Sequence, residues 1–351
     1  MVKVGIINVT GYAGAELARL LYNHPEAHVT EVTGRSEAGK KVAEVFPHLA
    51  SYDLAIEPEL SGSVDFVFSA LPHAASAEAC APLIRTGVPV VDMSADFRLK
   101  DAAEYSEWYG VEHPARDLLP DAAYGLPEVY REAIKQAKLV ANPGCYPESA
   151  LLALAPAVRA GIIAPEIIID SKSGVSGAGR GLKLNLHLGE AGENVSAYGL
   201  DGHRHWPEIN QEIAAMWPPV EALRPSTPRI TFTPHLIPMT RGILTTAYAP
   251  LYPGDLPVGE AGKAALRDIY LQFYEKEPFV RVAETPPSTK QARGSNMCLV
   301  YPTVDIRTER LVVVSVIDNL VKGAAGQAIQ NMNLMLGMPE TMALDMPAVY
   351  P

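Results

Sequence analysis

VKVGIINVTGYAGAELARLL (residues 2–21) contains a glycine turn between a strand-like run and a helical pattern. The apolar run VKVGIINV comes first, and leucines at helical spacing follow the glycine turn. Further apolar runs, such as VDFVFSAL (64–71) and VPVVDMS (88–94), alternate with helical patterns as far as residue 144. Strands that alternate with helices predict an α/β fold with a Rossmann-type, doubly wound parallel sheet.

The pattern changes in the second half of the chain. Strand-like runs such as EIIIDSKS, PRITFTPHL, GILTTAYAPL, CLVYPTVDI and RLVVVSVID come with fewer helices between them. This spacing predicts a second α/β domain with a mixed or antiparallel sheet. NLVKGAAGQAIQNMNLMLG (319–337) is expected to form the last helix.

Composition excludes several classes of protein. A net charge of −11 and a pI near 5.3 argue against a nucleic-acid partner or an anionic membrane surface. No apolar run reaches the roughly 20 residues of a membrane helix, and the start of the chain lacks a secretory signal. Three cysteines without CxxC spacing indicate neither a disulfide framework nor a structural metal site. We expect a soluble, reduced, cytoplasmic protein without a metal.

The glycine turn is a candidate pyrophosphate site. Gly11, Tyr12, Ala13 and Gly14 stand where a helix begins, and free N–H groups there bind anions. Asn8 occupies the position expected for the first glycine, but asparagine tolerates left-handed backbone angles. A plain strand-to-helix turn is the alternative.

The end of the second strand bears on the choice of cofactor. An NAD site usually has an acidic residue there, whereas TGRSEAGK offers Arg35, Ser36 and Lys40. A cation and a hydroxyl suit a 2′-phosphate, which favours NADP. A solvated basic loop is the alternative.

Cys145, in ANPGCYPESALLALAPAV (141–158), follows a turn and begins a helical pattern. A helix N-terminus lowers the pKa of a thiol, which favours Cys145 as a nucleophile. A buried core residue is the alternative. Cys80 and Cys298 lie in apolar patterns typical of inert buried thiols. A nucleophilic thiol needs a base, and GHRHW provides His203 and His205. In a strand, this spacing places both imidazoles on one face.

KSGVSGAGRG (172–181) is a glycine-rich segment that matches neither a Walker loop nor a serine-hydrolase elbow. Its backbone donors are able to hold an anion. A flexible surface loop is the alternative.

Together, these residues resemble the N-acetyl-γ-glutamyl-phosphate reductase family of arginine biosynthesis. The resemblance extends nearly from end to end, and ten ordered blocks are far more specific than a single motif. They are GYAGAEL, ALPHAAS, DMSADFRL, YGLPE, ANPGCYP, DSKSGVSGAGR, GHRHWPEI, FTPHLIPMTRGILTT, RGSNMC and SVIDNLVKGAAGQAIQNMNLMLG.

The resemblance implies an architecture and a set of partners. It implies an NADP-binding Rossmann domain, residues 1–144, completed by a C-terminal helix, residues 320–351. The catalytic and dimerisation domain, residues 145–319, would resemble that of glyceraldehyde-3-phosphate and aspartate-semialdehyde dehydrogenases. The expected substrate is a small acyl phosphate, and the expected assembly is a homodimer or homotetramer.

The resemblance also implies site residues. Cys145 would be the nucleophile and the two histidines would act in acid–base steps, with His203 ahead of His205 as the base. Arg98 of SADFR would hold the substrate phosphate. The expected cofactor-binding residues are Gly11, Tyr12, Ala13, Gly14, Arg35, Ser36, Ser176, Gly177 and Asn319.

Two residues depart from the family pattern. Asn8 replaces a glycine, and Glu148 stands where a small hydroxyl residue is usual. A carboxylate so close to Cys145 would oppose thiolate formation if it pointed at the sulfur, or it caps the helix or points away.

Two other functions remain as alternatives. The sister activity of lysine biosynthesis reduces an aminoadipyl phosphate on a carrier protein. The other is a non-catalytic NADP-binding regulator, against which Cys145 and both histidines argue.

Overall fold

The computed structural model describes residues 1–218 and 227–351 and divides into two compact units. The first unit comprises Met1–Gly144, Ala178–Arg180 and Gly323–Met346, and the second comprises Cys145–Gly177, Gly181–Lys322 and Pro347–Pro351. The predicted domain limits differ from these units at three places. Residues 178–180 belong to the first unit, and residues 320–322 and 347–351 belong to the second.

The helices and strands follow the predicted alternation. The first unit begins with β1 (Val2–Ile7), α1 (Tyr12–Leu21), β2 (Ala27–Thr33), α2 (Val42–Val45), β3 (Ile56–Glu57), β4 (Phe66–Ser69), α3 (Ser76–Arg85), β5 (Val90–Asp92), α4 (Ala102–Tyr109), β6 (Ala122–Tyr124), α5 (Pro127–Gln136) and β7 (Leu139–Ala141). The second unit follows with α6 (Cys145–Arg159), β8 (Glu166–Gly174), α7 (Leu188–Ala191), β9 (Ser196–Ala197), α8 (Trp206–Met216), β10 (Arg229–Ile237), β11 (Ile243–Pro250), α9 (Glu260–Phe273), β12 (Val280–Val282), β13 (Cys298–Asp305) and β14 (Arg310–Ile317). The last helix, α10 (Gly326–Met335), lies in the first unit.

The sheet of the first unit is parallel throughout, with strand order β3-β2-β1-β4-β5-β7-β6. The order reverses between β1 and β4, where doubly wound sheets bind ligands. Apolar side chains such as Leu17, Leu20 and Leu21 of α1 are buried. The predicted Rossmann-type fold is therefore confirmed.

The second unit has a mixed sheet, with strand order β12-β13-β14-β11-β8-β10-β9. On β8, Ile167 and Ile169 are buried whereas Ile168 between them is 42% exposed. Strands alternate in this way when one face is covered, and α6, α8 and α9 pack against members of this sheet. The other face of the sheet carries partly exposed side chains.

The C-terminal helix is shorter than predicted and has two parts. A π-helical turn, Val321–Ala325, leads into α10, which packs on α1, α5 and β5. Gly337 has a φ of 67° and Pro339 follows it, so the backbone does not continue as a helix. Residues 336–351 therefore contain no further helix or strand. None of the helices within residues 1–218 and 227–351 meets the length and hydropathy of a membrane span.

Candidate active site

Asn8 adopts the left-handed conformation that its position requires, with a φ of 67°. Its backbone N–H donates to Thr33 Oγ1 at 3.2 Å, and its Nδ2 donates to the carbonyl of Ala70 at 2.8 Å. Thr10 Oγ1 donates in turn to Asn8 Oδ1 at 3.1 Å. Asn8 therefore links the ends of β1, β2 and β4, which glycine has no side chain to do.

Gly14 and Gly11 shape the start of α1. A Cβ at Gly14 would lie 2.4 Å from the carbonyl oxygen of Asn8 and 2.8 Å from Val9 Cα, so only glycine fits. Gly11 is the N-cap of α1 and no side chain caps the helix there. Tyr12 and Ala13 are the first two residues of α1. The close backbone approach and the uncapped helix start fit a dinucleotide pyrophosphate.

The predicted 2′-phosphate residues lie directly after β2. Arg35 and Ser36 are exposed at the start of a 3₁₀ turn, Arg35–Glu37. Lys40 forms an ion pair with Glu37, with 2.6 Å between Nζ and Oε2. Arg35 and Ser36 are therefore better candidates for a phosphate than Lys40.

Arg180 is a second cation at this turn that the sequence did not indicate. Its Nη1 donates to the carbonyl of Thr10 at 3.3 Å, and its Cζ lies 4.9 Å from the centroid of the Phe46 ring. The GAGRG segment shows a cation, but its partner lies 170 positions away. This contact depends on the fold and not on local spacing.

Arg98 is nearly buried and holds two strand ends together. Its Nε donates to the carbonyl of Asn142 at 2.8 Å, and its Nη2 donates to the carbonyl of Met93 at 2.9 Å. Met93 follows β5 and Asn142 follows β7. These bonds fix the guanidinium beside the segment that leads to Cys145.

Two buried aspartates near Arg98 organise the same loop and were missed. Asp96 Oδ2 accepts N–H bonds from Ser76 and Ala77, both at 2.9 Å, at the start of α3. Asp92 accepts from the hydroxyls of Ser76 and Ser94 at 2.6 and 2.7 Å. Burial, together with the charge of Asp96, raises the pKa of Asp92 to about 6. These bonds tie the SADFR loop to α3.

In the second unit, the structure brings both predicted histidines to the start of α6. Cys145 is the first residue of this helix and is partly buried. The ring of its neighbour Tyr146 lies 5.7 Å from the His203 ring and 5.9 Å from the His205 ring, centroid to centroid. The two imidazoles are 4.9 Å apart.

The two histidines do not lie on a strand, so the one-face arrangement that a strand would give them does not occur. His203 is in a turn and His205 is the N-cap of α8. The backbone N–H of His205 donates to His203 Nδ1 at 3.1 Å. The turn, and not a strand face, places the two rings together.

His203 is a neutral imidazole at neutral pH. Burial and the adjacent Arg204 lower the pKa of His203 to about 4. Because Nδ1 accepts the His205 N–H, the proton of the neutral ring is on Nε2. His203 is therefore a hydrogen-bond donor through Nε2.

Tyr146 and Tyr198 complete this cluster and were also missed. Tyr198 Oη donates to Tyr146 Oη at 3.0 Å, and Tyr146 Oη donates to the carbonyl of His235 at 3.1 Å. The Tyr198 ring lies 5.4 Å from the His203 ring. Burial raises the pKa of Tyr198 to about 12 and also raises that of Tyr146. Both phenols are neutral, and the tyrosine next to Cys145 was the signal in the sequence.

Ser176, Gly177 and Asn319 lie together in the second unit. Asn319 Nδ2 donates to Ser176 Oγ at 3.0 Å, and Asn319 Oδ1 accepts the backbone N–H of Gly242 at 2.7 Å. A Cβ at Gly177 would lie 3.6 Å from Asn319 Nδ2. Asn319 therefore fixes two loops against each other.

Glu148 points into the protein interior and not to the solvent. Its side chain is fully buried, and its Oε1 lies 3.6 Å from Lys322 Nζ. Its charge is therefore matched by a lysine from the π-helical turn.

The other two cysteines are both buried. Burial raises the pKa of Cys80 to about 12, so this thiol stays protonated at neutral pH. Within the described part of the chain, His, Cys, Asp and Glu form no group of three or more that is arranged to hold a metal ion.

Two family models cover most of the chain. Residues 3–137 match the model described as semialdehyde dehydrogenase, NAD binding domain. Residues 145–319 match the model described as semialdehyde dehydrogenase, dimerisation domain.

Curated relatives are similar over their full length. The chain is 54% identical over 349 residues to an N-acetyl-gamma-glutamyl-phosphate reductase of Dehalococcoides mccartyi strain CBDB1, covering 99% of each chain. It is 52% identical over 358 residues to the protein of the same name from Pelotomaculum thermopropionicum, covering 100% of this chain and 99% of that one.

Solved structures share the fold at low sequence identity. Aspartate semialdehyde dehydrogenase II of Vibrio cholerae, complexed with ASA, matches with a TM-score of 0.70 and 19% identity over 96% of this chain and 98% of that one. Aspartate semialdehyde dehydrogenase with NADP from Candida albicans matches with a TM-score of 0.69 and 17% identity, over the same shares of each chain.

Proposed function

Since this chain belongs to the N-acetyl-γ-glutamyl-phosphate reductase family, we propose that it reduces N-acetyl-γ-glutamyl phosphate with NADPH. The products are N-acetylglutamate 5-semialdehyde and phosphate, and the pathway is arginine biosynthesis. One observation supports this most: Tyr146, next to Cys145 at the start of α6, packs against both His203 and His205. A thiol, a helix N-terminus and imidazoles are what acyl transfer through a thioester requires.

NADP is held by the first unit in this proposal. The turn from Asn8 to Gly14 binds the pyrophosphate, and Arg35 and Ser36 bind the 2′-phosphate. Ser176, Gly177 and Asn319 form a further contact with the cofactor. When bound, the reduced cofactor supplies a hydride to the acyl carbon.

Cys145 carries the acyl group between the two halves of the reaction. Its thiolate attacks the carbonyl carbon of the acyl phosphate, the carbon–oxygen bond to phosphate breaks, and a thioester forms. After reduction, the tetrahedral adduct expels the Cys145 thiolate and becomes the aldehyde. The negative oxygen of each tetrahedral species needs donors, which a backbone N–H at the start of α6 and His203 Nε2 supply.

The tautomer of His203 changes the order in which we assign the histidines. The sequence placed His203 ahead of His205 as the base, but His203 Nδ1 already accepts a backbone N–H. We therefore assign hydrogen-bond donation to His203 and deprotonation of Cys145 to His205. His205→Asn should then slow alkylation of Cys145 at neutral pH, whereas His203→Asn should slow turnover but not alkylation. If instead only His203→Asn slowed alkylation, His203 would be the base, as first expected.

Arg98 binds the substrate phosphate in this scheme. Its two bonds to backbone carbonyls fix the guanidinium plane, and a fixed guanidinium suits a phosphate group. Arg98→Lys is expected to raise KM more than it lowers kcat, because a lysine ammonium lacks the planar fork.

The proposal also covers the assembly and the cellular compartment of the protein. We propose a homodimer or homotetramer that uses the partly exposed face of the mixed sheet, since residues 145–319 match a dimerisation domain. Catalysis needs Cys145 as a reduced thiol, and the cytoplasm keeps thiols reduced. No nucleic acid or membrane is a partner in this proposal.

The decisive experiment is the reverse reaction with purified protein. N-acetylglutamate semialdehyde and phosphate should reduce NADP, and omission of phosphate should stop the reaction. The matched analogue from aminoadipate should react far more slowly. A preference for that analogue would favour the lysine pathway, and binding of NADP without turnover of either aldehyde would favour a regulator.

A further inference from the structure

Glu148 and Lys322 form an ion pair in the interior of the second unit. Lys322 Nζ lies 3.6 Å from Glu148 Oε1, and neither side chain has exposed surface. Among residues 1–218 and 227–351, Lys322 is the one fully buried lysine. Its ammonium also lies 5.8 Å from the centroid of the Phe279 ring, within the range of a cation–π contact. Because buried ion pairs add little net stability, a role in function is the better explanation.

The position of Glu148 relative to Cys145 suggests this role. Cys145 is the first residue of α6 and Glu148 is three positions later. Residues three apart on a helix are neighbours, with about 5–6 Å between Cβ atoms. A lone carboxylate at that distance raises the pKa of a thiol, which opposes the effect of the helix N-terminus. A lysine beside the carboxylate removes this opposition.

We propose that Lys322 is a positioning residue that cancels the charge of Glu148 and so keeps the Cys145 thiolate available at neutral pH. This role rests on the proposed nucleophilic function of Cys145. Lys322 acts through Glu148 and not on the substrate. The ion pair also joins the first turn of α6 to the π-helical turn Val321–Ala325, and such turns are frequent at functional sites.

Other ionisable groups lie near α6. The pKa of His203 is lowered to about 4 by burial, and that of Tyr198 is raised to about 12. Neither group changes charge between about pH 6 and about pH 9. Further ionisable side chains around α6 include Tyr146, His205, Glu208, Glu212, Tyr270, Tyr274 and Cys298, all wholly or partly buried, and Arg204, whose charge acts on His203.

The test is the pH dependence of Cys145 alkylation by iodoacetamide in the full chain, measured by mass spectrometry of the Cys145 peptide. Lys322→Met removes the positive charge beside the carboxylate and should raise the apparent thiol pKa by about one to two units. Glu148→Gln removes the negative charge and should lower the apparent thiol pKa by a similar amount. The double variant should return close to the wild-type value.

A second ion pair provides the matched control. Arg131 and Glu340 pair in the first unit, with 2.7 Å between Nε and Oε1. Arg131→Met and Glu340→Gln should leave the thiol pKa unchanged. Lys322→Arg keeps the charge and should also leave it unchanged.

Two outcomes would overturn the proposal. One is a shift of the same sign in both single variants, which indicates a general disturbance of α6. The other is an unshifted thiol pKa in Glu148→Gln. This variant is isosteric with the wild type, and circular dichroism would show whether it folds. It therefore tests the proposal even if Lys322→Met does not fold. Alkylation needs neither substrate nor cofactor, so the result does not depend on which acyl phosphate is reduced.

Discussion

The nucleotide turn proposed for the first unit (residues 8–14) and the thiol site proposed for the second (Cys145 with Tyr146, His203 and His205) are built in different ways. Residues 8–14 make the nucleotide turn mostly from their own backbone, with a left-handed Asn8 and a glycine at position 14. The thiol site collects side chains from α6, from the turn before α8 and from the π-helical turn. A backbone site is defined by local sequence, whereas a side-chain site depends on contacts that only the fold creates.

Cys145→Ser should give the largest effect, because it removes catalysis at the thiol site and leaves the nucleotide turn unchanged. NADPH-dependent turnover should fall by at least about 10³-fold, because a serine hydroxyl is a far weaker nucleophile at neutral pH. NADPH affinity, measured by fluorescence titration, should stay unchanged. Near-native turnover would exclude the thioester route.

Gly14→Ala should impair the nucleotide turn and leave the thiol site intact, the reverse of Cys145→Ser. The new Cβ would lie 2.4 Å from the Asn8 carbonyl oxygen, so the free energy of unfolding should fall by about 2–4 kcal/mol. NADPH affinity should fall as well, while the rate of Cys145 alkylation should not change. Gly189→Ala is the control, since no atom lies within 4 Å of its Cβ. Equal stability of the two variants in urea would contradict the close approach.

The stability of the two units should also respond to pH with opposite signs, through Asp92 in the first unit and His203 in the second. Folding raises the pKa of Asp92 from 3.8 to about 6, so its contribution to stability is present at low pH and is lost between about pH 4 and about pH 6. Folding lowers the pKa of His203 from 6.5 to about 4, so its contribution is present above about pH 6.5 and is lost as the pH falls toward 4.

Substitution of either group should remove its contribution to the pH dependence of the free energy of unfolding. In urea unfolding across this range, Asp92→Asn should remove a decline on the order of 3 kcal/mol with rising pH. His203→Asn should remove a rise with pH. Slopes of the same sign in the two differences from wild type would contradict the assigned pKa shifts.

Arg35→Ala should have the smallest effect and tests cofactor choice. Loss of one exposed cation should weaken NADPH by about tenfold and NADH hardly at all, since only NADPH carries the 2′-phosphate. The measurement is a pair of binding isotherms. Arg180→Ala is the comparison, because Arg180 donates to the Thr10 carbonyl and packs on Phe46 and is not itself part of the Arg35–Glu37 turn. Equal losses for both cofactors in Arg35→Ala would reject the 2′-phosphate assignment.

The fold was predictable because its signals are local. Apolar strands and amphipathic helices alternate along the first unit, and each pattern covers a few adjacent residues. The helix after Cys145 and the strands of the mixed sheet were predicted for the same reason. The apolar pattern predicted the last helix, residues 319–337, to within two residues at each end. The longer helix implied by the resemblance, residues 320–351, does not form because the chain leaves the helix at Gly337 and Pro339.

The candidate site was only partly predictable. A thiol at a helix start and an HRH pair are visible in the sequence, but the turn that packs the two rings edge-to-face with Tyr146 is not. The pairing of Glu148 with Lys322 joins residues 174 positions apart, and no local pattern indicates it. The same applies to Asp92, whose partners come from α3 and from the loop that carries Arg98.

Asn8 has a consequence for how such proteins are found among new genomes. A search pattern that demands glycine at each turn position would pass over this chain, although its backbone makes the same left-handed turn. A pattern that accepts either glycine or asparagine at this position would include it. Both residues adopt left-handed backbone angles more readily than others do, so the wider pattern still selects for the geometry of the turn.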